Sequence, residues 1–169
     1  MRKTLPESLL TGPVIAMLAR MQTAPDPDKS TAAIRFNTAA DRALRAMKQR
    51  AEELKLIGVG VVAWSDAVPV QSWTSKMMVV GQLASVTSKK DPAGENFLGI
   101  AYTKAAEMAE TLRDSGSQVR PAKIGEYGYR GGLMARAKTG ILFATFSGGP
   151  AEDDLKVART GLDLLVADL

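Results

Sequence analysis

The alternation of apolar and polar positions predicts helices and strands in a mixed order. Apolar residues recur at helical spacing between about residues 30 and 54, and again between about 96 and 113. Nearly continuous apolar runs at residues 57–64 and 141–146 are typical of buried strands. A last helical run begins near residue 151 and ends the pattern.

Turn residues between the apolar runs predict hairpins. Residues 131–137 and 141–146 flank Lys138-Thr139-Gly140 and form one hairpin, and residues 68–73 are expected to pair with the strand at 57–64. Residues 77–83 are predicted to form a further extended segment. Because hairpins, rather than strand–helix–strand crossovers, separate the helices, the predicted class is α+β, with an antiparallel sheet of about five strands flanked by helices.

The first 28 residues are expected to stand apart from a single domain at residues 29–169. An apolar run near residues 9–18 is interrupted by Gly12-Pro13 and is too short for a membrane span. Apolar residues on one side predict a short amphipathic helix there, and Pro and Asp residues at 25–28 predict a linker. Residues 85–95 are predicted to be a polar surface loop. We expect a cytoplasmic protein without a membrane segment.

Composition narrows the chemistry that the chain can perform. The 169 residues contain no Cys and no His, which excludes thiolate nucleophiles, Ser–His dyads and His ligands to metals or haem. Acid–base work would fall to Glu, Asp, Lys or Tyr. The net charge of +4 comes from basic residues mixed with acidic ones along helices, which predicts solvated faces and no nucleic-acid partner. No metal site is predicted.

A glycine elbow follows the last predicted strand and is the first candidate site. Ser147, Gly148 and Gly149 precede the last helix, where backbone N–H groups would face an anionic or carbonyl ligand. An ordinary capped turn is the alternative. A valine at Gly148 is expected to block a ligand and to leave most of the fold intact.

Charged and glycine residues elsewhere in the sequence complete the candidate set. Lys104 is either a solvated helical lysine or a cation that holds a carboxylate. Asp154 either favours the helix dipole or takes part in a site. Arg130 stands in a glycine-rich loop with Gly131 and Gly132, which either closes on a planar anion or only connects two elements. Lys104 and the loop at residues 129–132 are expected to converge with the elbow on one concavity, either within one chain or together with a neighbouring subunit.

The sequence resembles the GlcG/HbpS-like haem-binding family, which includes GlcG of glycolate utilisation, HbpS and the C-terminal domain of PduO. The Ala-rich segment 99–109 with Lys104-Ala105 is similar to a family helix. Residues 147–154, followed by Val157-Ala158, resemble the closing Ser-Gly-Gly, Asp and Val-Ala pattern of the family. Gly131-Gly132 and the strand at 57–66 also correspond, so the resemblance covers about residues 32–165.

The resemblance implies a profilin-like fold, assembly into a homo-oligomer and genes near glycolate, diol or aromatic catabolism. Some family members bind haem or a corrinoid, but this chain departs from the family at residues 72–78. Because the chain has no His, His-ligated haem is not expected. Other ligands to haem iron would have to come from Tyr102, Tyr127, Tyr129 or Met77.

Three hypotheses for function follow. The first is an oligomeric protein that binds a small anionic or planar molecule, as an accessory in the catabolism of a small organic acid or in tetrapyrrole handling. The second is an enzyme that acts on a small carbonyl acid, with Lys104 as base or electrostatic anchor and the elbow as anion site. The third is an accessory subunit that only stabilises a catabolic complex.

Overall fold

A computed structural model of the protein describes residues 27–85 and 93–169, with side chains from residue 31 onward. The elements in chain order are α1 (Pro27–Glu53), β1 (Gly58–Ser65), β2 (Thr74–Val80), α2 (Phe97–Thr111), β3 (Gly132–Ala137), β4 (Gly140–Ser147) and α3 (Ala151–Asp168). The predicted N-terminal helix and Lys89-Lys90 of the predicted surface loop lie outside the described residues.

The four described strands form one antiparallel sheet in the order β2-β1-β4-β3. The central pair aligns Val59 with Ser147 and Ser65 with Ile141. All eight residues of β1 are buried, because helices cover both faces of the sheet. The α+β class and the antiparallel sheet are confirmed, and the described part of the chain has four strands where about five were expected.

The two faces of the sheet build two different cores. On one face Val59 and Val61 of β1 pack with Phe97 and Ala101 of α2. On the other face Val62 and Phe146 join the apolar stripes of α1 and α3. The sheet therefore separates α2 from the α1–α3 layer.

Small residues allow α1 and α3 to pack closely on their shared face. A Cβ at Gly161 of α3 would lie 2.3 Å from Sδ of Met47 in α1. Ala40, Ala43 and Ala51 continue the buried stripe of α1. The alanine-rich stripe that the sequence shows is therefore the contact surface between the two helices.

The predicted partner of the first strand was wrong. Residues 68–73 lie in the connection between β1 and β2, and the true partner is β2, which includes residues 77–80 of the extended segment predicted at 77–83. Pro69 has no N–H to donate to a strand ladder, and Gln71 and Ser72 are exposed. Thr74–Val80 pairs antiparallel with Gly58–Trp64, with Thr74 opposite Trp64 and Val80 opposite Gly58.

Candidate functional site

Lys104 lies on the inward face of α2 and is the centre of the candidate site. Helix α2 begins after Asn96, whose Oδ1 accepts a hydrogen bond from the Gly99 N–H at 2.9 Å. Lys104 follows Ala101 by three residues and precedes Met108 by four, so it shares their buried face. Its side chain is only 3% exposed.

The Lys104 ammonium has two acceptors within the protein. Its Nζ donates to the Phe146 carbonyl oxygen at 2.7 Å and to Asp154 Oδ2 at 2.9 Å. Phe146 belongs to β4 and Asp154 to the first turn of α3. One side chain therefore connects α2 to the strand that precedes the glycine elbow and to the helix that follows it.

Asp154 is held from a second side by the elbow itself. Its Oδ1 accepts a hydrogen bond from the Gly149 N–H at 3.0 Å, while Oδ2 accepts from Lys104. The carboxylate is almost fully buried. Because both oxygens have donors, the buried charge is compensated and its orientation is fixed.

Glycine at position 131 makes room for the ion pair. A Cβ on Gly131 would lie 2.5 Å from Lys104 Nζ and 2.8 Å from Asp154 Cβ, and the backbone has φ +120°. Both the space and the conformation therefore demand glycine. Gly132 has a different role, because its N–H donates to Ser115 Oγ at 2.8 Å within the sheet edge.

Burial shifts the titration of both partners. Desolvation raises the pKa of Asp154 to about 6, against the opposing effect of the Lys104 charge and its hydrogen bond. Desolvation also lowers the pKa of Lys104, and the Asp154 charge opposes that shift. The site therefore keeps a carboxylate close to its titration range at neutral pH.

A cavity of about 350 Å³ opens beside the ion pair. Six predicted site residues line it, namely Lys104, Arg130, Ser147, Gly148, Gly149 and Asp154. Gly131 lies against the ion pair itself, and Gly132 lies in β3. The structure thus brings the glycine elbow, the glycine-rich loop and Lys104 together within one chain.

Arg130 is at the exposed side of this cavity. Its Nη1 donates to Glu152 Oε1 at 2.6 Å, and both side chains are more than half exposed, at 55% and 69%. Glu152 is in the first turn of α3, next to Ala151, which also lines the cavity. The two cations of the site therefore differ, because Lys104 is buried and Arg130 is in contact with solvent.

The loop between α2 and β3 supplies cavity residues that sequence reasoning missed. Gly116, Gln118 and Gly128 line the cavity, as do Glu95 and Ile100. Ile100 precedes Lys104 by one helical turn, so its position was available from the helix period. The loop residues follow no period, and only the folded loop brings them there.

Ion pairs hold this loop in place. Arg120 donates from Nη1 to Glu126 Oε2 at 2.7 Å and from Nη2 to Glu126 Oε1 at 2.8 Å, and it also contacts Glu110 of α2. Hydrogen bonds from Arg120 lower the pKa of Glu126 to about 2. Near the start of the loop, Gly116 N–H donates to Glu107 Oε1 at 2.9 Å.

The candidate haem-iron ligands are dispersed. Tyr129 lines the cavity and stacks on Tyr127 with ring centroids 5.4 Å apart. Tyr102 Oη lies 3.3 Å from Ser75 Oγ, and Met77 is on the edge strand β2. Of these four residues, Tyr129 alone lines the cavity.

The predicted behaviour of a Gly148 substitution was wrong. Gly148 has φ +148°, and a Cβ there would lie 1.9 Å from the Ile57 carbonyl oxygen and 2.7 Å from Gly58 Cα. A valine would push the backbone at the start of β1 away from the end of β4. The elbow glycine is therefore required by the close approach of Ile57 and Gly58.

The described residues contain neither a membrane-spanning helix nor a group of metal ligands. No helix among them is long and apolar enough to cross a membrane. Within residues 27–85 and 93–169, no three His, Cys, Asp or Glu side chains are grouped so as to hold a metal ion.

Comparison with known proteins shows the fold. The chain matches the Klebsiella pneumoniae protein ORFY, described under the family DUF336, with a TM-score of 0.51 and 17% identity over 77% of this chain and 89% of that one. It matches PduOC in a complex with haem with a TM-score of 0.50 and 19% identity over 75% of this chain and 91% of that one. No family model and no curated protein matches the sequence.

These two structures confirm the sequence resemblance at the level of architecture. PduO was among the relatives to which the motifs pointed, and a PduOC structure has this α+β fold. At 17% and 19% identity the likeness establishes the fold, and the chemistry has to be argued from the residues of this chain.

Proposed function

We propose that this protein binds a small organic anion in the cavity beside Lys104 and Asp154, as an oligomeric, cytoplasmic accessory protein in the catabolism of an organic acid. The observation that carries the proposal is a buried, fully oriented ion pair in the wall of a 350 Å³ cavity. Cavities of this size with a few convergent polar groups are the usual form of small-molecule sites.

The hydrogen-bonding capacity of Lys104 supports a ligand. An ammonium group has three N–H donors. Phe146 O and Asp154 Oδ2 accept two of them, both from inside the protein. The third N–H can be satisfied by a ligand oxygen in the cavity that Lys104 lines.

Several neighbouring groups suit an anion or a planar molecule. The Arg130 guanidinium can pair a carboxylate side-on. Gly148 and Gly149 also line the cavity, beside Arg130 and Lys104. The Ser147 hydroxyl adds a group that can donate or accept.

A tetrapyrrole fits these residues poorly. The cavity wall contains Lys104, Asp154, Arg130 and Glu95, whereas a haem cleft needs extensive apolar contact and an axial ligand. With no His or Cys in the chain, Tyr129 is the single axial candidate among the residues that line this cavity. We therefore place the haem of PduOC outside the proposed function of this chain.

An enzyme acting on a small carbonyl acid is the second candidate. The observation in its favour is that burial lowers the pKa of Lys104 beside a carboxylate whose pKa burial raises, an arrangement that can exchange a proton. Turnover of a carbonyl acid that disappears in Lys104→Met, and persists in the surface variant Lys156→Met, would favour the enzyme over the binding protein.

The test of the proposal is a binding experiment with paired probes. Glycolate, pyruvate and benzoate are compared with glycolamide, pyruvamide and benzamide by thermal shift and calorimetry, because ligands that bind only the native state raise its stability. At least one acid is expected to bind more tightly than its amide. Haemin is included as a tetrapyrrole probe, and no Soret band from nitrogen ligation is expected.

Cavity variants make the experiment specific. Ala151→Phe would fill the cavity mouth from an exposed position and abolish binding, while Ala167→Phe on the other end of α3 is the matched control. Arg130→Gln would weaken the binding of acids more than the binding of amides. Arg136→Gln, at an exposed position of β3, is the control and would not change this difference. Binding that survives Ala151→Phe, or no binding by any acid, would refute the proposal.

A further inference from the structure

We propose that Glu152 occupies the place of the ligand carboxylate on Arg130, and that a small carboxylic acid binds by displacing it. The inference rests on the proposed function and deepens it, because it names the ligand class and a residue that sets affinity. It starts from the Arg130–Glu152 contact of 2.6 Å at the exposed side of the cavity.

The contact joins two walls of the cavity. Arg130 comes from the loop before β3, and Glu152 comes from the first turn of α3. Arg130 and Ala151 line the cavity directly. The carboxylate that Arg130 already holds is therefore located next to the volume where a ligand would lie.

Only part of the donor capacity of Arg130 is used by Glu152. In the described part of the chain the hydrogen bond runs from Nη1 alone to a single carboxylate oxygen. A guanidinium presents parallel N–H groups that pair a carboxylate through two bonds. A ligand carboxylate that accepts two hydrogen bonds from Arg130 is therefore bound more strongly than Glu152, which accepts one.

Displacement of Glu152 costs little. Ion pairs with both partners exposed contribute weakly, because water solvates the separated charges well. Glu152 and Arg130 are both more than half exposed. A released Glu152 also stays in the first turn of α3, where negative charge is favourable.

The buried pair of Lys104 and Asp154 stays intact when a ligand binds, unlike the exposed pair of Arg130 and Glu152. Asp154 is buried, accepts from both Lys104 and Gly149, and would leave an unpaired buried charge if it moved. Lys104 therefore keeps its own carboxylate and offers a remaining N–H, while Arg130 exchanges one carboxylate for another. The two cations select a ligand with one carboxylate and a further oxygen acceptor.

The acidic neighbours of the cavity make this exchange relevant to affinity. Glu95 and Asp154 balance Lys104 and Arg130 among the charged residues that line it, and Glu152 adds a negative charge at its edge. Glu152 thus competes with an incoming anion for Arg130. Replacing its carboxylate by an amide removes the negative charge and weakens this competition.

The test compares Glu152→Gln with Asp153→Asn by calorimetry, using glycolate, pyruvate and benzoate and their amides. Asp153 is the control because it is adjacent to Glu152, pairs with Lys156 at 2.8 Å and does not line the cavity. Asp153→Asn and Glu152→Gln each remove one negative charge, so the two variants have the same net charge. Glu152→Gln is expected to lower the Kd of the tightest-binding acid about two- to fivefold, which corresponds to the free energy of an exposed ion pair. The Kd of the matching amide is expected to stay unchanged. Asp153→Asn is expected to change neither.

A double variant separates the direct effect from a general one. In an Arg130→Gln background the gain from Glu152→Gln should vanish, because there is no guanidinium left to release. An equal gain in Asp153→Asn, or a gain that persists without Arg130, overturns the inference. If acids bind the parent protein and Glu152→Gln leaves their affinity unchanged, the inference alone fails; if no acid binds either protein, the proposed function fails with it.

Discussion

At the scale of single residues, Lys104 shows how a helical pattern defines a site. The sequence left open whether Lys104 is solvated or holds a carboxylate, and the structure puts it in the buried row with Ala101 and Met108. The helix period alone predicts that row. Its contact with Phe146 O was not predictable, because it joins residues 42 positions apart through a backbone atom of any residue type.

The pH dependence of the native state tests the environment of Asp154. Burial raises its pKa from 3.8 to about 6, so the native state holds the proton more tightly than the unfolded state. The contribution of Asp154 to stability is therefore fully present below about pH 4 and is lost as the pH rises through about 6. Carboxyl-carbon NMR should show a native midpoint near 6.

Two variants check the cause of this shift. Asp154→Asn should remove the titrating NMR signal. In urea unfolding between pH 4 and 7, the free energy of unfolding of the parent should fall as the pH rises, and that of Asp154→Asn should not show this fall. Lys104→Met removes the charge that lowers the pKa of Asp154, so the midpoint should move above 6 if the variant folds. A parent midpoint below 4 would contradict a desolvated carboxyl.

At the scale of elements, the glycine elbow couples the site to the sheet. The sequence showed glycines between a strand and a helix, which indicated the turn correctly. It did not show that Ile57 and Gly58 of a distant segment pack against Gly148. Pairing between segments far apart in sequence also explains the wrong partner for β1, because apolar pattern alone does not choose between neighbouring extended runs.

The element-scale prediction concerns Gly148→Ala. A Cβ that would lie 1.9 Å from the Ile57 carbonyl oxygen, at a φ of +148°, should lower the free energy of unfolding by about 2–4 kcal/mol. Gly125→Ala is the control, because Gly125 also has a positive φ, of +90°, but its Cβ would meet no atom within 4 Å. Gly125→Ala should cost about 1 kcal/mol. Equal losses in urea unfolding would show that the contact with Ile57 has no effect.

At the scale of the whole molecule, the layer arrangement was predictable and the assembly stays a prediction. Long amphipathic helices and apolar strands separated by turns are enough to indicate an α+β sheet protein. Chain composition contains no comparable signal for the cavity loop between α2 and β3, where ion pairs and glycines decide the path.

We expect a homo-oligomer, and the sheet supports that expectation. Strand β2 is an edge strand of the described sheet, and edge strands are common places for pairing with a second chain. At the other edge the Gly132 and Met134 N–H groups of β3 already donate to Ser115 Oγ and Asp114 Oδ1. Large apolar side chains, including Ile34 and Val166, are exposed on α1 and α3. Light scattering during size-exclusion chromatography should give a mass of two or more chains at micromolar concentration, with dissociation on dilution; a monomer mass throughout would contradict the prediction.

The position of Asp154 in the last helix has a consequence for the order of events during synthesis. Lys104 lies in α2, its carbonyl partner in β4 and its carboxylate in α3. A ribosome that has released only α2 and β3 has made neither partner, so the emerging chain offers no formed pocket. Binding at the proposed site would therefore follow translation of α3, and a bound ligand would report that α3 has docked.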